Sequence, residues 1–432
     1  MYILFFSLLS LISVLFHTDP PVTVDQYLEQ DMSYLVDFYK ERHMHPEISF
    51  QENRTAARLA EELRHIGWEV TEGVGQTGVV GILRNGDGPT ILYRTDMDAL
   101  PMNEKTALPY ASQEVISYKG QEVGAMHSCG HDMHMTTWLG TARAMTEMRS
   151  QWSGTLMFIG QPAEEIGGGA KAMLEDGLYK RFGVPDYGLG LHCNPSIQTG
   201  AIGITDGYTM ANAELIDIKV KGVGSHGASP HTSIDPVVIA SMIVMDIQTI
   251  VSRNIKPIDD AVITVGAVQG GTVHNIIPDE VTLKLTVRTY KDEVRELIYK
   301  RLREISEGIG IAAGLPEDKL PEVIIPNSFT PANYNDPSFT HLIKEKAAEV
   351  IGETNVTYAE PQMVGEDFSR YGRTDDDVPT VLYWLGTVSK EQIENGDLPG
   401  LHSPYYYPQI ETTVSTAIEV NTAVLKDLLS RK

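Results

Sequence analysis

Short apolar runs alternate with amphipathic stretches along this 432-residue chain, and that alternation limits its fold more than any other feature. Residues 78–83, 90–94, 155–160 and 188–192 read as strands rich in Val, Ile and Leu. Between them, residues 134–148 and 168–178 carry helical spacing. The region from 24 to 67 is helical too: Leu59, Leu63 and Ile66 recur at three- and four-residue intervals, and Gly67 is placed to end the helix. Strands that alternate with helices in this way predict an α/β sheet covered by helices on both faces.

Near Met210 the texture changes. Residues 214–221 alternate with period two, 236–252 form a helix, 261–268 and 281–288 are two further strands, and 291–308 is a charged helix. Strand, helix, strand, strand, helix makes a small α+β layer of about 110 residues. Apolar strands return after Pro321, including 380–386. The economical division is a leader at 1–20, a larger domain at 21–208 and 322–432, and an inserted domain at 209–321.

Composition narrows the functional classes. Hydrophobic residues make up 42% and charged residues 21%, as in soluble globular chains. With 34 basic and 58 acidic residues the net charge is −24, which repels phosphate backbones and argues against nucleic-acid binding. Two cysteines cannot build a disulfide framework. Residues 2–16 are almost wholly apolar, too short for a span and suited to a signal-peptide core. No Lys or Arg precedes this core and no A-x-A site follows it. A periplasmic or secreted enzyme is expected, with a cytoplasmic one as the alternative.

Chemistry-bearing residues crowd at strand ends. Asp96 and Asp98 follow the strand at 90–94, where ligands of open α/β sheets gather. The segment 126–134 holds His127, Cys129, His131 and His134, a thiol and three imidazoles that suit zinc and similar ions. Glu164 and Glu165 follow the strand at 155–160. Adjacent carboxylates in extended chain point to opposite sides, so one can hold an ion while the other takes a proton from water. His192 ends a short strand and His402 lies in a Pro- and Gly-rich loop. Each segment alone also reads as capping, a tight turn or a solvated acidic pair. Cys193 follows His192, and alternation turns it away from that histidine, as a small buried hydrophobe.

Six motifs in order, Asp-Met-Asp-Ala-Leu-Pro, His-Ser-Cys-Gly-His-Asp-Met-His, Gln-Pro-Ala-Glu-Glu, Gly-Leu-His, Gly-Ser-His-Gly-Ala-Ser-Pro-His and Gly-Leu-His-Ser-Pro, closely resemble the amidohydrolase branch of the two-metal carboxypeptidase G/aminoacylase metallopeptidase family. The resemblance spans residues 30 to 430. It implies a zinc-peptidase-like catalytic domain, a mixed sheet flanked by helices, with an inserted ferredoxin-like α+β lid and dimerisation domain. It implies that Cys129, His131, Glu165, His192 and His402 hold two divalent ions, among which zinc, manganese, cobalt and nickel stay open. Glu164 matches the general base and Asp98 the acid that orients a ligand. His226 matches the histidine presented to the substrate carbonyl oxygen, supplied in several relatives by the neighbouring subunit. Asn275 and Arg288 match substrate-contacting positions. In more distant relatives a histidine and a bridging aspartate stand where this chain has Asp96 and Cys129. The implied substrate is an N-acyl amino acid, with Arg288 suited to its carboxylate and Tyr208, Met210, Met363 and Trp384 as candidate apolar lining. A homodimer through the inserted domain is implied as well. A dipeptidase or carboxypeptidase of the same family, and a non-catalytic binding protein, are the rival readings.

Overall fold

The computed structural model describes residues 22–430; the expected leader at 1–20 lies outside them. The larger sheet has eight strands in the spatial order Glu69–Val74, Gly78–Asn85, Gly154–Gln161, Thr90–Asp96, Tyr187–Gln198, Thr380–Val388, Ile202–Gly203 and Val356–Thr357. Its centre is parallel: Thr90–Asp96 pairs in parallel with Gly154–Gln161 and Tyr187–Gln198, and Tyr187–Gln198 with Thr380–Val388. The strands at 69–85 close one side as an antiparallel edge.

Both faces of this sheet are buried, which is why its strands read as nearly unbroken apolar runs. Val79, Leu83, Ile91, Tyr93, Leu156 and Phe158 point into one core, with Leu35, Leu59, Trp138 and Leu425 from the helices. The alternate residues Val80, Ile82, Leu92, Met157 and Ile159 point into another, with Met173, Leu178 and Phe368. The helical region at 24–67 is two helices, Val24–Met44 and Asn53–His65. His45 precedes Pro46, and the residue before a proline is pushed out of helical backbone. Gly67 does end the second helix, at φ +85°.

A four-stranded antiparallel sheet forms separately, in the order Ala261–Gln269, Glu280–Thr289, Glu214–Lys221 and Glu322–Ile324. Numbered along the chain this order is 2-3-1-4, and with helices Pro236–Thr249 and Asp292–Ala312 it is a ferredoxin-like α+β layer. Glu322–Ile324 lies just past the end at 321 expected from sequence, yet it supplies the fourth strand. This sheet is covered on one face. Ile216, Ile218, Val220, Leu283, Leu285 and Val287 meet Ile243, Ile298 and Leu302 of the helices. Leu215 and Arg288, of opposite strand parity, lie on the helix-free face.

Candidate active site

The four central strands run parallel, so their carboxyl ends meet at one edge of the sheet. Thr90–Asp96 delivers Asp96 and Asp98 there; Gly154–Gln161 delivers Glu164 and Glu165; Tyr187–Gln198 carries His192. Helix His131–Glu147 starts at the same edge, with Gly130 in left-handed backbone at φ +85° as its N-cap. A Cβ on Gly130 would stand 3.0 Å from that of Cys193, so glycine answers both constraints. The helix begins three residues before the expected 134, which places His131 in its first turn.

Five side chains from four separate segments converge. Cys129 Sγ lies 3.5 Å from His192 Nε2 and 3.3 Å from His402 Nε2. Glu165 Oε2 is 3.4 Å from His402 Nε2, and Glu165 Oε1 is 3.9 Å from His131 Nε2. Cys129, His131 and His192 form one close triad; Cys129, Glu165 and His402 form another. The thiol belongs to both. His131 and His192 are fixed by their other ring nitrogens: Nδ1 of His131 lies 2.7 Å from the Asp98 carbonyl oxygen, and Nδ1 of His192 2.9 Å from that of Cys193. This is how metal-ligating imidazoles are oriented. His131 Nε2 and Glu165 Oε1 are buried without a hydrogen-bond partner. Orphaned polar atoms facing each other beside a thiol and two more imidazoles fit a cation.

The turn carrying the two glutamates is held as tightly. Ala163 adopts left-handed backbone, φ +50°, unusual for a residue with a Cβ. Its N–H donates to Glu52 Oε1 at 2.8 Å. The next two N–H groups, of Glu164 and Glu165, donate to the two oxygens of Asp98 at 3.0 and 3.1 Å. Two buried carboxylates thus grip three successive amides, and the grip aims Glu165 at the ligands and Glu164 beside them.

Residues 92–427 match the peptidase family M20/M25/M40. The chain belongs to that family. It is 36% identical over 363 residues to the N-acetylcysteine deacetylase of Bacillus subtilis (strain 168), covering 83% of this chain and 89% of that one. It is 38% identical over 337 residues to the hippurate hydrolase of Campylobacter jejuni, covering 77% and 84%. A crystal structure of a Bacillus subtilis protein described as a dinuclear metal binding peptidase from the M20 family superposes with a TM-score of 0.76 at 30% identity, covering 93% of this chain and 99% of that one. This M20 protein is accordingly a metal-dependent amidohydrolase.

Acids outnumber cations around the M20 cluster. Burial, then Glu366 and Glu165, push the Glu164 carboxyl well above the usual carboxylate range. Burial raises Glu165 to about 8 against the pull of His131. Burial and the two glutamates also push the Cys129 thiol up. Burial disfavours a charged His131, but Asp96 and Asp98 outweigh it and raise the ring to about 10. Divalent charge reverses these pressures, since a coordinated thiol ionises and nearby carboxylates stay ionised. Behind the ligands, fully buried Arg94 donates to Asp96 at 2.6 Å, Glu366 at 2.8 Å and Gln161 at 3.0 Å. Asp96 Oδ1 also lies 2.6 Å from His134 Nδ1, and His134 Nε2 accepts from Cys193 N–H at 2.8 Å.

A cavity of about 730 Å³ opens over the cluster, lined by Cys129, Glu164, Glu165, His192 and His402 together with Arg288. Arg288 is half-buried on the helix-free face of the second sheet, and among the described residues its side chain makes one hydrogen bond, from Nε to Thr286 Oγ1 at 3.2 Å. Met210, Met363 and Trp384 line the cavity; Tyr208 does not, and packs on Tyr290 instead. His226 and Asn275 are not brought to it. Both are exposed, in the two-stranded ribbon of Ser225–His226 and Ile276–Ile277 and its connecting loop. Cys193 is free, fully buried and part of the apolar core. Sequence reasoning passed over Glu52, Arg94 and Glu366. Glu52 follows Ile-Ser-Phe-Gln and Glu366 follows a glycine, and neither context marks a buried acid.

Proposed function

We propose that this chain hydrolyses the amide bond of N-acyl amino acids, with two divalent ions held by Cys129, His131, Glu165, His192 and His402. The observation that carries the reading is the thiol shared between two ligand triads, beside Glu164, which belongs to neither of those two, in a cavity whose arginine makes no carboxylate contact among the described residues. The chemistry supplied by zinc, manganese, cobalt or nickel at such a pair is Lewis acidity, which polarises the carbonyl and acidifies water. Glu164 takes the proton of the attacking water and hands it to the leaving nitrogen, which is too basic to depart as an anion. Asp98 holds His131 and the glutamate turn in place. Arg288 receives the free carboxylate through its planar fork.

The oxyanion needs a donor, and His226 supplies it from a partner subunit. Its distance from its own cavity supports an assembly in which a second copy completes the site, with Asn275 entering alongside. The outer helix of the inserted domain supports a homodimer too: Val238, Met242 and Met245 are 55%, 46% and 71% exposed along one face. Light scattering tests this; a fully active monomer overturns it. The apolar run at 2–16 supports export, and N-terminal sequencing of the native protein tests that.

The deciding experiment pairs metal analysis with a panel of N-acetyl, hippuryl and dipeptide substrates. Metal-dependent hydrolysis of the acyl amino acids is expected. Cleavage of dipeptides alone moves the protein to the dipeptidase reading, and a metal-free protein that hydrolyses nothing on the panel is a binding protein.

A further inference from the structure

We infer that His134 is a positioning residue that sets the gap between the imidazole ligands His131 and His192, and that it is not a ligand itself. The inference rests on the two-ion reading above and adds to it the part that holds the buried ligand triad open. His134 stands in the same histidine-rich segment as Cys129 and His131, yet that reading gives it no task.

The sheet opens where the ligands sit. Thr90–Asp96 keeps its partner Gly154–Gln161 as far as Asp96, and Tyr187–Gln198 keeps Thr380–Val388 past Cys193. The seam between Thr90–Asp96 and Tyr187–Gln198 stops earlier, at Tyr93 opposite Leu189. The same register carried on would set Asp96 opposite His192. Instead the strands part, and the buried Cys193 N–H needs another acceptor. Buried His134 fills the seam. Its Nε2 accepts the Cys193 N–H at 2.8 Å, and its Nδ1 lies 2.6 Å from Asp96 Oδ1. A backbone N–H can only donate, so Nε2 is bare and Nδ1–H donates to Asp96. Arg94 fixes Asp96 in turn, at 2.6 Å. The ring is a side-chain rung between two strands that no longer pair. Asp96, His131 and His134 lie close enough to hold an ion, but both nitrogens of His134 are engaged and leave it no lone pair to offer.

The rung reaches the ligands in two ways. The Cys193 carbonyl oxygen lies 2.9 Å from His192 Nδ1, so a grip on the Cys193 amide fixes the tilt of His192. The His134 ring also packs against both ligand rings. Its centroid lies 5.3 Å from that of His131 and 4.7 Å from that of His192, and those two stand 6.0 Å apart.

The test loads the metal-free full-length protein with cobalt(II) alone and compares three substitutions. In His134→Gln an amide oxygen takes the place of Nε2 and still accepts the Cys193 N–H. In His134→Asn an amide nitrogen takes the place of Nδ1 and keeps only the bond to Asp96. His134→Phe keeps a ring and neither bond. Losing the partner that orients a ligand costs about 10–100-fold in metal affinity. His134→Phe and His134→Asn are expected to lose that much cobalt affinity against a competing chelator, and to shift the visible spectrum of the cobalt–thiolate centre. Both still bind two ions at saturation. His134→Gln is expected to keep the wild-type spectrum and most of the affinity. A merely structural role lowers the urea midpoint and leaves the spectrum unmoved, and that result overturns the inference. Three variants that behave alike overturn it as well, because the rung onto Cys193 separates Gln from the other two. One ion fewer per chain in every variant at saturating cobalt makes His134 a ligand and overturns it too. Where His134→Phe fails to fold, the order of Gln over Asn still decides. A wild type that takes up no cobalt overturns the two-ion reading and the inference with it, whereas variants alone that match the wild type leave that reading standing.

Discussion

The ligand cluster and the ribbon bearing His226 are built on opposite principles. Most of the cluster is buried at one edge of the parallel strands, with His402 exposed on its loop, and three of its parts are fixed by a second residue: His131 by Asp98, His192 by the Cys193 carbonyl, the glutamate turn by Glu52 and Asp98. His226 and Asn275 are exposed, and His226 Nδ1 has only the Ala228 N–H, at 3.1 Å. The proposed ion-holding groups are thus placed by the packing of one chain, whereas the proposed carbonyl-facing group depends on how domains or subunits come together. On that proposal the cluster tolerates little change and the ribbon depends on a second copy.

The largest effects fall inside the cluster. Glu164→Gln is expected to keep its metal and lose on the order of 10²–10⁴ in turnover, and possession of two roles puts it at the upper end. Cys129→Ala, by contrast, loses metal, because both triads share that sulfur. Metal analysis and initial rates on the two variants separate holding an ion from moving a proton. Near-normal turnover by Glu164→Gln removes the base from the mechanism.

The ribbon comes next. His226→Ala is expected to cost about 10²–10³ in turnover, the range for losing one oxyanion donor, with metal content unchanged. Mixing it with Glu164→Gln after subunit exchange is the sharper measurement. If His226 serves the partner's cavity, mixed dimers hold one intact site and activity returns. If it serves its own, the mixture stays as inactive as its components.

This contrast also explains what was legible in the sequence. Asp98, Glu164 and Glu165 stand in short motifs just past strand ends, Cys129 and His131 at a helix start, His192 within the strand Tyr187–Gln198 and His402 in a loop, and in each the residue type marks the chemistry. The ferredoxin-like insertion was legible from the period-two strand at 214–221 and the helices around it. Its fourth strand was not, because Glu322–Ile324 is three residues long and too short to show a period. Helix starts were blurred for a similar reason: Gly130 caps the helix by its left-handed backbone, with no side-chain cap to announce it. Glu52, Arg94 and Glu366 escaped notice because their meaning is tertiary. Glu366 meets Arg94 across 272 positions, and no local pattern encodes that meeting.

Glu52 sharpens the comparison at a smaller scale. It touches no ligand, yet it holds the strained Ala163 that aims both glutamates. Burial, then Asp98, raise its carboxyl to about 7. Glu52→Ala leaves a buried N–H unpaired and frees the turn. Displacement of Glu164 by an ångström is enough to lower kcat by up to about 10²-fold, with KM little changed. Glu52→Gln keeps the accepting oxygen for Ala163 and is expected to restore most of the rate. Equal loss in both variants points to a structural role without aim.

The weakest effect on catalysis is expected at the pin behind the start of helix His131–Glu147. His43 is buried, with Nδ1 2.6 Å from Asp132 and Nε2 3.1 Å from Glu104. Burial disfavours its charge, but the hydrogen bonds to both carboxylates prevail and raise the ring to about 9. A pKa above the unfolded value means stability that is complete below about pH 6.5 and lost as pH climbs through about 9. The same contacts hold Asp132 and Glu104 below the usual carboxylate range, so their share of this one network is lost on acidification instead. At roughly 1.4 kcal/mol per pKa unit the alkaline window is worth on the order of 3 kcal/mol. Urea unfolding of the wild type and His43→Gln from pH 6 to 10 should show midpoints that converge as the solution turns alkaline. A gap that stays constant across that range means the histidine contributes by packing and not by charge, and the pin then belongs with the core, not with the electrostatics of the cluster it supports.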